Sequence, residues 1–127
     1  MGVLEGATAT ATRCDFMENG QFGVACLDAN TKVRLNDSTI TFNLTGLFAY
    51  DHAVVDLHGT KTDIHSNKRI GIVATRNAKV NIHLPSQHNT THDNASENRA
   101  QGSGGSIANI NADGTFTHVE ADDDDDY

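Results

Sequence analysis

Histidine and aspartate give this 127-residue chain its greatest capacity for chemistry, and several of them recur at nearly constant spacing. His58 and His83 are 25 residues apart; two imidazoles brought side by side can share a metal ion or simply stack. Asp63, His65 and His92 form a second candidate set, for acid/base or metal chemistry. Asp28, Asp51 and Arg76 follow one another at steps of 23 and 25, and carboxylates beside a guanidinium are the groups that work on polysaccharides. The seven histidines show no HxH or HExxH spacing. Phosphate-binding glycine loops, nucleophile elbows and CxxC pairs are likewise missing from the sequence, so no cofactor is expected.

Whether these groups meet depends on a repeat. Phe16, Ile40 and Ile64 are separated by 24 and 24, as are Asn19, Asn43 and Asn67. Gly23, Gly46 and Gly71 follow at 23 and 25. Each glycine precedes an alternating apolar pair: Val24 and Cys26, Leu47 and Ala49, Ile72 and Ala74. A further alternating segment completes each copy, with Val33 and Leu35, Val55 and Leu57, Val80 and Ile82, and with Ala9 and Ala11 as a degenerate first version. Period-2 alternation marks strands. No single unit can bury its apolar side, whereas stacked copies share one core and add strands at the sheet spacing of about 4.8 Å. The Asn residues are expected at a sharp corner, in a left-handed backbone, with amides bonding from coil to coil. The glycines let the chain pass into the next strand without a Cβ clash.

The pattern apolar-x-x-Asn, then Gly-apolar-x-small, in three copies over roughly residues 7 to 94, resembles the repeats of the right-handed parallel β-helix, or pectate-lyase-like, superfamily. That superfamily holds polysaccharide-active enzymes and many repeat proteins without catalysis. The resemblance implies an all-β, right-handed parallel β-helix of about three to four short coils; the handedness comes from it and not from the spacing. The alternative is a β-sandwich whose strands happen to repeat. Residues 1–97 are read as coils, with the best repeats in 9–84, although Pro85 interrupts any central strand. Residues 98–106 read as a flexible Gly/Ser linker, and 107–119 as a capping strand or hairpin turning at Asp113-Gly114.

In such a stack, outward residues form ladders. Arg34, Asp56 and Asn81 make one, Asn36, His58 and His83 the next, with Arg34 expected to pair with Asp56. The Gly-led strand carries apolar residues on its outer side: Leu27, Phe48, Tyr50 and Val73 are the binding candidates. A contiguous apolar face is usually covered, here by Ile107, Ile110 and Phe116, by another chain, or by a sugar stacked on Tyr50 and Phe48.

The net charge of −8 is concentrated in Glu120 and Asp122 to Asp126, leaving −2 elsewhere. The acidic tail 120–127 is expected to be disordered, and a body so nearly neutral has no basic field for nucleic acid. No signal-peptide or membrane-spanning pattern is visible. Cys14 and Cys26 fall on different sides of one coil, which favours free thiols and an intracellular setting, without fixing the compartment. Coil-building residues outnumber chemical ones. The leading expectation is therefore a non-catalytic repeat module, a structural or protein-interaction scaffold. Its partner would be another protein or a second copy, held at an open coil end or on the apolar face. The rival is a carbohydrate-active enzyme, or its remnant, with a polysaccharide as ligand. Membrane association is not expected.

Overall fold

Alternation of period two places every other side chain inside, and each repeat folds into three short strands joined by tight corners. The computed structural model describes residues 1–84, 88, 90–111 and 114–118. The first coil holds β1 (Gly2–Val3), β2 (Thr8–Thr12) and β3 (Asp15–Met17). The second holds β4 (Phe22–Leu27), β5 (Lys32–Asn36) and β6 (Thr39–Thr41), and the third β7 (Thr45–Tyr50), β8 (Val54–His58) and β9 (Asp63–His65). The fourth holds β10 (Ile70–Thr75), β11 (Lys79–Ile82) and β12 (Thr91–His92). Two strands of a further coil, β13 (Glu97–Gly102) and β14 (Ser106–Ile110), precede β15 (Phe116–His118). Strands from successive coils stack into three sheets, ordered β1-β4-β7-β10-β13, β2-β5-β8-β11-β14-β15 and β3-β6-β9-β12. Every pairing among them is parallel except β14 with β15. The chain is a parallel β-solenoid of about four turns, and no helix among the described residues is long and apolar enough to span a membrane.

The register is that of the repeat. Phe16, Ile40 and Ile64 are successive partners, as are Val24, Leu47 and Ile72, and Leu35, Leu57 and Ile82. Leu35, Leu47, Leu57, Ile64, Ile72 and Ile82 are completely buried in one core. Each such side chain contributes about 1.5–3 kcal/mol relative to leaving it in water.

A polar spine runs along that core. Asn19 donates from its backbone N–H and its amide to Asn43 Oδ1 (3.0 and 3.1 Å). Asn43 donates in the same way to Asn67 (3.1 and 3.2 Å), and Asn67 to Asn94 (3.0 and 2.8 Å). Asn94 ends the column on Asn98 of its own corner (3.1 and 3.0 Å). The expected amide ladder is thus present and two members longer, but the left-handed residue is not the Asn. It is the residue before it: Glu18, Phe42, Ser66 and Asp93 have φ of 57°, 57°, 57° and 53°. That residue takes the sharp turn, which leaves the Asn free to aim its amide inward, where Asn43 and Asn67 are buried. The glycine spacing has its reason in the same spine. A Cβ at Gly46 would lie 2.6 Å from the Gly71 carbonyl oxygen and 2.9 Å from Asn67 Nδ2.

Two expectations about the C-terminal part change. Residues 98–106 are not a linker, because most of β13 and the corner after it fall there. Arg99 occupies the inward position above Ile72, donating to Thr91 Oγ1 (2.8 Å) and Asn109 Oδ1 (2.9 Å), and burial pushes its guanidinium down to about 10. The glycines serve close packing rather than flexibility: a Cβ at Gly105 would sit 2.2 Å from the Ala74 carbonyl oxygen. Ile107 lies in the core, above Val80, and does not cover the apolar face. The expected hairpin is β14 with β15, in which Ile110 opposes Phe116. The acidic tail and Pro85 lie outside the described residues.

Candidate functional site

Both Asp-x-His tripeptides, Asp56-Leu57-His58 and Asp63-Ile64-His65, put a carboxylate and an imidazole on one face of a strand, with a buried aliphatic residue between them. Parallel stacking then sets a histidine of the fourth coil above each. His83 directly follows β11 and stacks on His58, with ring centroids 4.0 Å apart and planes 5° from parallel. Its Nε2 donates to Asp56 Oδ1 (2.8 Å), and Asn81 Nδ2 donates to the same oxygen (3.2 Å). One ligand atom from each of Asp56, His58 and His83 falls within 4.8 Å of the others, and all three residues are half-buried. Asp56 therefore faces the fourth coil rather than Arg34, whose Nε donates to Asn36 Oδ1 (3.1 Å). Desolvation, followed by the neighbouring His83 and Arg34, lowers the pKa of His58 against the opposing pull of Asp56.

On the third sheet, His92 lies over His65, with centroids 5.0 Å apart and planes 10° from parallel. His92 Nε2 bonds Asp63 Oδ1 (2.8 Å), and its Nδ1 bonds Asp93 Oδ2 (2.7 Å), so carboxylates hold both ring nitrogens. His65 Nε2 is 3.9 Å from Asp63 Oδ2, and its Nδ1 is hydrogen-bonded to Ser66 Oγ (2.8 Å). The Asp93 hydrogen bond is the largest cause of a raised pKa at His92, with Asp63 adding to it and burial opposing.

Asp28, Asp51 and Arg76 form a column on the corner after the Gly-led strands, all left-handed, with φ of 82°, 57° and 53°. Their side chains engage neighbours other than one another where bonds are formed: Asp51 bonds His52 Nδ1 (3.0 Å), and the Arg76 guanidinium lies 5.2 Å from the centre of the Tyr50 ring. On the adjacent outer face Phe22 stacks on Phe48 at 4.8 Å, and Phe48 on Tyr50 at 5.7 Å. Val73 and Ala100 are buried beside Phe48, while Leu27 and Tyr50 are half-buried. At the N-terminal end of the Asn spine, Glu18, Asn19, Gly20, Phe42 and Lys68 line a shallow hollow. Both cysteines are free; burial pushes the Cys26 thiol up to about 11.

Sequence reasoning placed each of these histidines but missed Asp56 and Asp93 as their partners and Phe22 as a third ring. The signal for Asp56 was the Asp-x-His tripeptide itself, which occurs twice at strand periodicity. Compared with protein-family models, curated proteins and solved structures, the chain finds no match.

Proposed function

We propose that this protein is a non-catalytic β-solenoid scaffold that associates with a protein partner through its first coil. One observation carries the reading: the sheets begin with β1, β2 and β3, whose outer edges pair with no strand among the described residues. That end also displays Met1, Leu4 and Met17, which are 37%, 49% and 46% exposed. Among the described residues no donor reaches the Asn19 amide oxygen, so the spine presents an acceptor at the same end. An unpaired parallel edge recruits further strands. In its simplest form the partner is a second copy of the chain. Light scattering on the purified protein then gives a mass above the 13.6 kDa monomer, and Thr10→Pro, which blocks the β2 edge, restores the monomer. A wild-type chain that stays monomeric at every concentration tested contradicts association between copies.

The three stacked rings beside Asp51 and Arg76 favour a second reading, a carbohydrate-active enzyme or its remnant of the pectate-lyase-like, right-handed kind. Aromatic faces bind sugar rings, with Asp28, Asp51 and Arg76 as the candidate chemical groups. Cleavage of an acidic polysaccharide that is lost in Asp51→Ala would replace the scaffold reading with this one.

A further inference from the structure

Of the two Asp-His-His sets, only Asp56, His58 and His83 converge tightly enough to hold one ion. We propose that these three residues bind a divalent first-row transition ion of the Zn²⁺ class, and that the ion staples the third coil to the fourth. The inference is independent of the scaffold reading.

The donor set is two imidazoles and one carboxylate. This mixture suits Zn²⁺, Co²⁺ and Ni²⁺, whereas Ca²⁺ and Mg²⁺ prefer oxygen-only sets. Three protein ligands leave a fourth, outward position for water. The fold supplies most of the geometry. Asp56 and His58 share the outer face of β8, while the register of β8 with β11 carries His83 to the level of His58. His83 Nε2 and Asp56 Oδ1, 2.8 Å apart, need only open to about 3.4 Å to flank a tetrahedral ion with bonds of about 2.0–2.2 Å. Binding puts the metal on His83 Nε2 in place of the proton between them, and the neutral ring carries its proton on Nδ1 instead. Binding also requires the His58 ring to turn out of its parallel stack so that a nitrogen reaches the same point. Asn81, bonded to Asp56 Oδ1, holds the carboxylate in place from outside the ligand set. Arg34, on the second coil beneath Asp56, is the cation that opposes the ion, but it is exposed and its Nε is engaged by Asn36. The other set lacks this convergence, because both nitrogens of His92 are bonded to carboxylates on opposite sides.

The test is calorimetric titration of the full-length wild-type chain with Zn²⁺ at neutral pH, and with Ca²⁺ as the oxygen-preferring control. One Zn²⁺ per chain is expected, weakened at least about tenfold in His83→Ala, His58→Gln and Asp56→Asn, and unchanged in His92→Ala. Circular dichroism verifies that each variant folds. Should a variant unfold, wild-type imidazole ¹⁵N shifts decide the matter: Zn²⁺ should move His58 and His83 and leave His92 in place. Absence of stoichiometric Zn²⁺ binding overturns the site. So does binding that survives all three ligand substitutions, or Zn²⁺ shifts that fall on His92.

Discussion

The two Asp-x-His tripeptides lie on adjacent strands of one coil, each beneath a histidine of the next, yet the two clusters differ in chemistry. On the second sheet His83 meets one carboxylate and a stacked ring, and desolvation, the neighbouring imidazole and Arg34 push His58 toward its neutral form. On the third sheet two carboxylates hold the nitrogens of His92 and favour its cation. One histidine of each cluster is thus shifted, in opposite directions: His58 down, chiefly by desolvation with His83 and Arg34 adding to it, and His92 up, chiefly by its bond to Asp93. In a solenoid the register brings groups together, and their individual neighbours decide how they titrate.

Breaking the register should erase both clusters at once and with the largest effect. Asn67 links the coils that the two sets bridge; its amide also donates to the Ile40 and His65 carbonyls, both at 3.2 Å. Asn67→Ala takes from those carbonyls their bonds to the amide and leaves the Asn43 backbone N–H without its acceptor in the interior, at a cost of about 3 kcal/mol. Urea denaturation should show this loss, together with separation of His58 from His83 and of His65 from His92. Asn19→Ala, at the exposed end of the same spine, should cost under about 1 kcal/mol. Equal losses at the two positions would mean that the spine does not carry the stack.

Removing one carboxylate should alter a single cluster. Asp93→Asn keeps a residue that tolerates the left-handed φ of 53° and removes the leading cause of the raised pKa of His92. A histidine whose folded pKa is raised adds stability that is fully present below its unfolded value of about 6.5 and is lost as pH rises through the folded value. The variant should therefore be less stable than wild type at pH 5.5, by under about 1 kcal/mol, and indistinguishable at pH 8.5. His58 acts in the opposite sense: its lowered pKa makes the folded state lose stability as pH falls below about 6.5. Arg34→Gln should soften that loss slightly, by a few tenths of a kcal/mol, the smallest of these effects, visible as a small rise in the low-pH thermal midpoint.

Much of the fold was legible because coil-building residues repeat: Ile40 beneath Ile64 and Asn43 beneath Asn67 follow from the 24-residue step. The corner conformation was not, since a left-handed residue such as Phe42 has no preference for that backbone, and the Asn that follows attracts the assignment. The strand Glu97–Gly102 was hidden by composition; Gly104 and Gly105 resemble a linker until the Asn77 side chain and the Ala74 carbonyl are found pressed against them. For the candidate sites, the ladders predicted which histidines meet. The choice of Asp56 between Arg34 and His83 depends on side-chain direction, and that is settled only by the three-dimensional packing.

The central claim is that shared register gives two like clusters and that local burial and hydrogen bonding separate them. Titrating the imidazoles of the wild-type chain by ¹H–¹⁵N NMR, without added metal, tests it most directly. The account predicts His92 titrating above about 6.5 and His58 below it; coincident midpoints, or the reverse order, would contradict it.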